Sequence, residues 1–233
     1  MPILYNALDV NALAFKPPSK NGLGGQNVYV DAAADSKSNI VFQLPRSRVP
    51  FGLDKNEQSQ STRYNMELSI EDAGFVEKMQ ALDARVLDEA AKHSTAWFGK
   101  SYSLQKLKDL EMFRASITAS EKYNPLFRCK VATQGGKVPR IYLLNKEDGK
   151  WTPGTLQDIA KGCYVTPIVE CQGIWFVGGG KSFGATFLAT HILVEKNEAD
   201  DSFPFLGMSN IAAGGAADVD MQGGDDAYMR EIE

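Results

Sequence analysis

Hydrophobic positions recur along the chain at two spacings, and the change from one to the other marks out its organisation. In residues 64–70, YNMELSI, Tyr64, Met66, Leu68 and Ile70 alternate with polar neighbours, the period of a half-buried strand. From 71 to 93 the steps become three and four, with Phe75, Met79, Leu82, Val86 and Ala90 on one stripe. That stripe predicts a helix lying on a sheet, with Glu71 and Asp72 at its positive end. Ser103 is placed to cap a second, shorter helix running through Leu104, Leu107, Leu110 and Phe113.

The rest of the pattern is β. Residues 26–31 (QNVYVD) and 39–44 (NIVFQL) are β-branched and aromatic runs flanking a polar stretch, which predicts a hairpin. Residues 126–133 and 138–144, separated by Gln134, Gly135 and Gly136, predict a second and clearer hairpin. A turn at Asp148 and Gly149 leads to Trp151, residues 163–170 and 173–177 predict another strand pair, and 183–195 is a long closing strand. About seven short strands with two helices interposed at about 71–113 make a mainly β fold, a small closed or partly closed barrel with a helical insertion. No sequence repeat is visible, which argues against a propeller or solenoid.

Charge divides the chain in two. The whole has a net charge of -4, yet residues 197–233 alone carry nine acids and one base, a net of -8. Residues 1–196 therefore carry 24 bases and 20 acids, a net of +4: a basic body joined to an acidic tail. The tail is rich in Gly, Ala and Asp, its apolar residues too scattered for a core face, and it is expected to be disordered. Its apolar islands, Phe203 to Leu206 and Tyr228 with Met229, either dock on the body or a partner or merely sit in the chain. We accordingly expect a domain over 1–196 and a flexible tail over 197–233.

At 43% hydrophobic the body can bury a core without disulfides. Cys129, Cys163 and Cys171 lie in or beside apolar runs with no CxxC spacing, which favours buried thiols in a reducing, intracellular setting. No apolar run approaches the roughly 20 residues of a membrane span, and the first residues lack a signal-peptide pattern, so a soluble protein without membrane partners is expected. The segment PPSKNGLGG after Lys16 reads either as an arm exchanged within a homodimer or as a loop.

Catalysis finds little support. His93 ends the predicted helix and His191 sits in the last apolar strand, neither with a partner nearby in sequence. Gly178-Gly179-Gly180-Lys181-Ser182 resembles the end of a phosphate-binding loop, but Trp175 stands where its first glycine belongs and a strand follows, so it reads as a strand connection whose Lys181 can reach a phosphate. No Cys or His pair has zinc-ligand spacing, and no carboxylate cluster suggests a metal-dependent hydrolase or nuclease. We expect no enzyme and no cofactor.

What remains is basic residues interleaved with aromatic ones: Arg46, Arg48 and Phe51; Phe127, Arg128, Lys130, Lys137, Arg140 and Tyr142; Lys150 and Trp151; Lys181 and Phe183. Alternation puts Arg128 and Lys130 on one strand face and Phe127 and Cys129 on the other, so one face can be basic and exposed. Non-specific single-strand binding needs such a cationic track with rings for base stacking. Phosphate contacts are assigned to Arg46, Arg48, Arg128, Lys130, Lys137, Arg140 and Lys181, and stacking to Phe51, Tyr142 and Trp151, whereas Phe127 and Trp175 are expected in the core.

The motifs PFGL (50–53), WFGK (97–100) and IWF (174–176) followed by KSFG (181–184), with the acidic end, resemble the single-stranded DNA-binding proteins of nucleocytoplasmic large DNA viruses, which are similar to the phage-type single-strand binder. The resemblance implies an OB-like fold, single-stranded DNA as partner in viral replication, recombination and repair, and location at viral replication sites in the nucleus or cytoplasm. It also implies a tail that regulates DNA access and contacts DNA polymerase or other replisome proteins. The phage-type tail ends in an aromatic residue, whereas this chain ends Arg230-Glu231-Ile232-Glu233. The alternative is a β-barrel virus structural protein, a minor capsid or scaffold component.

Overall fold

The computed structural model describes residues 1–20, 25–34, 39–54 and 63–195. The tail at 197–233 lies outside the described residues, as do parts of the PPSKNGLGG segment and of the polar stretch before Asn39. The elements that organise the body are β1 (Val41–Gln43), β2 (Ser47–Arg48), β3 (Arg63–Ser69), α1 (Ala73–Lys92), α2 (Ser94–Phe98), α3 (Leu104–Asp109), β4 (Phe113–Arg114), β5 (Leu126–Ala132), β6 (Arg140–Leu144), β7 (Trp151–Pro153), β8 (Tyr164–Val177) and β9 (Ser182–Glu195).

Five strand positions close a ring. Strand β8 pairs with β1 and β2 in succession, β2 with β3, β3 with β5, β5 with β9, and β9 back with β8. Every contact is antiparallel except β5 with β9. Counting β1 and β2 as one interrupted strand, the order is 1-2-3-5-4-1, the Greek-key order of an OB-type barrel, so the mainly β, OB-like expectation holds.

Alternation fills the ring. Met66 and Leu68 of β3, Phe127, Cys129 and Val131 of β5, and Phe187, Ile192 and Val194 of β9 are all at most 2% exposed. Helix α1 closes one end. Asp72 accepts a hydrogen bond from the backbone N–H of Phe75 at 3.0 Å, satisfying one of the helix's orphan donors, and the Tyr5 hydroxyl donates to the same carboxylate at 2.7 Å. These bonds hold the Asp72 carboxyl below its ordinary range. The apolar stripe then puts Phe75 edge-on to Phe127 at 5.3 Å, and Phe127 lies 5.1 Å from Phe187, so helix and barrel share one core. Each such buried ring stabilises the fold by about 1.5–3 kcal/mol.

Several expectations are corrected. The helical insertion holds three helices, because α2 follows α1 directly, turning at His93. Helix α3 stops at Asp109 rather than reaching Phe113, since Glu111 takes a left-handed φ of 49° and the chain then enters β4. Residues 26–31 and 39–44 do not form an extended hairpin: Gln26–Val28 and Val41–Gln43 lie end to end along one edge of β8, and among the described residues the two runs meet at a single bridge from Asp31 to Asn39.

Nor do β5 and β6 pair with each other; both run parallel to β9 on its same edge, one after the other. Residues 163–170 and 173–177 are not a strand pair but one continuous strand, β8. Gly173 there is a bulge at φ +104°, where a Cβ would stand 2.4 Å from the Val28 carbonyl oxygen, so a glycine that reads as a turn marks a close backbone approach. The Gly178–Gly180 segment is, as expected, the connection between two strands, β8 and β9.

Candidate nucleic-acid interface

Strand β9 carries one flank of the barrel. With Phe183, Phe187, Ile192 and Val194 in the core, the alternate positions on its other face are Gly184, Thr186 and Leu188, the last only 1% exposed, and, past a bulge, His191, Leu193 and Glu195. Gly184 to Glu195 spans about 36 Å of strand at roughly 3.3 Å per residue.

Its neighbours fall into register beside these positions. Arg114 lies against Gly184, Lys130 against Leu188, Arg140 against His191 and Tyr142 against Leu193, all along one edge. On the other edge Trp175 lies against Gly184 and Tyr164 against Glu195. The serial placement of β5 and β6, whose sequence pattern predicts a hairpin, thus strings Arg128, Lys130, Arg140 and Tyr142 into one outward row.

At the Gly184 end the row opens into a cleft of about 280 Å³ lined by Arg114, Ser116, Arg128, Lys130, Trp175 and Thr186 among others. Gly184 is needed there: a Cβ would meet the Arg114 carbonyl oxygen at 2.7 Å and Cζ2 of Trp175 at 3.3 Å, so the indole leans over the bare backbone towards Arg114. Arg114 Nε donates to Ser182 Oγ at 3.2 Å and has no carboxylate partner among the described residues.

Arg128 is tied to Glu67 across β3 and β5, and Lys130 Nζ donates to Asn65 Oδ1 at 2.6 Å. With the Arg128 side chain 61% exposed, its ion pair is worth about 0–1 kcal/mol, little enough for a phosphate to replace the carboxylate. Lys137, in the segment between β5 and β6, reaches across β9 to Gln172 Oε1 at 3.3 Å.

At the other end Tyr142 lies edge-on to Trp151 with centroids 4.9 Å apart, and parallel to the His191 imidazole at 6.4 Å. Trp151, on β7, is 60% exposed. Beyond them Arg46 stacks 3.7 Å over the Tyr164 ring and bonds both oxygens of Glu195 at 2.9 Å, a bidentate contact that raises the Arg46 pKa. Arg48 lies beside Tyr164 and Ser69, where the ring of strands closes.

Two of the sequence candidates stand apart from the row. Phe51, 63% exposed, lies past β2 where Gly52 packs on the Lys161 backbone, and Lys181 sits at the tip of the β8–β9 connection near Lys100 and Tyr102. Phe127 is in the core as expected. Trp175 is not: it is half-buried and forms a wall of the cleft. The glycine directly opposite it, which frees room for a ring, was the available signal. Arg114 directly follows what the sequence pattern reads as the end of a helix.

Burial pushes the Cys129 thiol up to about 12 and those of Cys163 and Cys171 to about 11, so all three are inert thiols. Among the described residues no group of carboxylates, histidines and cysteines gathers to hold a metal, and no helix is long and apolar enough to cross a membrane.

Residues 54–205 match the model of a family of unknown function, DUF5871. The chain belongs to that family. Among curated proteins nothing matches. Among solved structures, this member of the family is similar to the single-stranded DNA-binding protein from bacteriophage Enc34, at 13% identity over 85% of this chain and 99% of that one, with a TM-score of 0.43. The same phage protein in complex with ssDNA gives 13% over 78% and 96%, with a TM-score of 0.43. The single-stranded DNA binding protein gp2.5 encoded by bacteriophage T7 gives 9% identity over 78% of this chain and all of that one, with a TM-score of 0.44.

Proposed function

We propose that this protein binds single-stranded DNA without sequence specificity along the outward row of β9, and that it makes or breaks no covalent bond. The observation that carries the reading is the row itself: Arg114, Arg128, Lys130 and Arg140 lie between an indole wall at Trp175 and the Tyr142–Trp151 ring pair, on one flank of a barrel. Side-chain cations follow a sugar-phosphate chain and neutralise it, while rings accept bases whatever their identity. Arg46, Arg48 and Lys137 extend the cationic track, whereas Phe51 and Lys181 stand apart from it.

The acidic segment at 197–233 supplies a second element of the proposal. A tethered polyanion of net charge -8 competes for the same row and is displaced by DNA, which frees it for polymerase or other replisome proteins. The setting we propose is viral DNA replication, recombination and repair inside the host cell, as in the binders of nucleocytoplasmic large DNA viruses.

The test is a titration of the full chain with labelled single-stranded and duplex oligonucleotides across salt. Preference for the single strand with a log-log salt slope of several units is expected, and removal of 197–233 should tighten binding at low salt. A protein that ignores oligonucleotides and is found in virus particles would instead be a structural component.

A further inference from the structure

The cleft beside Trp175 exists because β5 and β9 separate. They are paired at Lys130 with Leu188, and towards their first residues another segment stands between them. Phe113 and Arg114 pair with Phe183 and Gly184 of β9, and Ile117 and Thr118 pair with Phe127 and Leu126 of β5. One stretch of six residues therefore splices the two strands together, crossing from one to the other at Ala115 and Ser116.

That crossing is pinned from the helix. Asp83 of α1 accepts the Ser116 backbone N–H at 2.8 Å and the Ser116 hydroxyl at 2.7 Å. The aspartate is 7% exposed, and no cation pairs with it among the described residues. Its neighbours Leu82 and Val86 anchor the same helix in the barrel core. A carboxylate buried without a cation is costly, and a helix seeking only to pack would carry an apolar residue there.

We propose that Asp83 is a positioning residue for the strand-binding cleft: by gripping Ser116 it makes α1 a brace that fixes the spacing of β5 and β9, and with it the distance of Arg114 and Trp175 from Arg128. The inference rests on the single-strand reading above. Asp83 itself touches no DNA; it acts through Ser116, two residues from Arg114.

Asp83→Asn keeps an acceptor for the Ser116 N–H and a donor for its hydroxyl oxygen, whereas Asp83→Ala leaves that N–H without its partner. The full-length protein is titrated with a fluorescein-labelled oligothymidylate by anisotropy across salt, alongside Ser116→Ala. The asparagine variant should bind like the parent. The alanine variant should bind about 5-fold or more weakly, with a salt slope shallower by about 0.7, one phosphate contact, and Ser116→Ala should fall between.

An alanine variant that matches the parent in affinity and slope overturns the brace, as does an asparagine variant that loses as much as alanine. If Asp83→Ala does not fold, Ser116→Ala carries the test, and parent-like binding there overturns the proposal. A parent that binds no oligothymidylate fails at the first arm, and the function and the brace then fall together.

Discussion

Asp83 also makes a stability prediction that needs no ligand. Burial raises its pKa from 3.8 to about 6, against the opposing pull of the two Ser116 hydrogen bonds. Below pH 3.8 the group is protonated in both folded and unfolded chains. Between 3.8 and 6 the unfolded chain ionises first while the folded one keeps its proton, so the stability held at low pH is lost as pH rises through about 6. A shift of roughly two units corresponds to about 3 kcal/mol. Asp83→Asn resembles the protonated form and cannot ionise. Urea unfolding of parent and variant at half-unit steps from pH 4 to 7.5 should show the variant's relative stability growing by about 2 kcal/mol up to pH 6 and levelling just above it, which corresponds to about 4–8 °C in Tm for a domain of this size. Taking the difference between the two proteins cancels every other titrating group. A difference that is flat over this range, or that shrinks as pH rises, would refute the burial argument.

Replacing Arg128 and Lys130 together with alanine should flatten the dependence of log affinity on log salt by about 1.4, two single-strand phosphate contacts, in the anisotropy titration; an unchanged slope places the DNA elsewhere. Glu67→Gln releases Arg128 from its carboxylate and should tighten binding a few-fold at low salt, the gain fading as salt rises; equal affinity at all salts would mean the ion pair survives in the complex. Trp175→Ala should cost about 1–3 kcal/mol of single-strand affinity, the worth of one stacked base. Gly184→Val should weaken binding in the same direction by pushing into the Arg114 carbonyl and the indole, and parent-like binding by both would remove the ring from the interface.

The sequence was most readable where burial is one-sided. The alternation of Tyr64 to Ile70 and the stripe from Phe75 to Ala90 each face a single core, so their period reports their structure directly, and Asp72 and Ser103 cap helices as their chemistry dictates. Pairing was less readable, because a strand's partner is chosen by the whole sheet. Gln134 to Gly136 reads as a hairpin turn, yet the 14-residue β9 offers an edge long enough for β5 and β6 in series, and after a 3-10 turn at Gly135–Lys137 the chain continues in the same direction. Gly173 misled in the opposite way, since a positive φ serves a bulge as well as a turn. Of the candidate site, alternation revealed that Arg128 and Lys130 face outward together. It could not show that Arg140 and Tyr142 continue their row, or that Arg114 and Trp175 meet over Gly184, since both depend on registers set by β9.

The ring of strands is fastened very unevenly around its circumference. Strands β8 and β9 share a ladder from Tyr164–Glu195 to Val177–Ser182, whereas the edge of β3 that closes the ring is held, among the described residues, at Arg48–Ser69, Leu53–Met66 and Asp54–Asn65. In a five-membered ring that loose seam lies diametrically opposite β9. With fewer paired positions there, backbone amide exchange is expected to open that seam before the β8–β9 ladder beside the basic row.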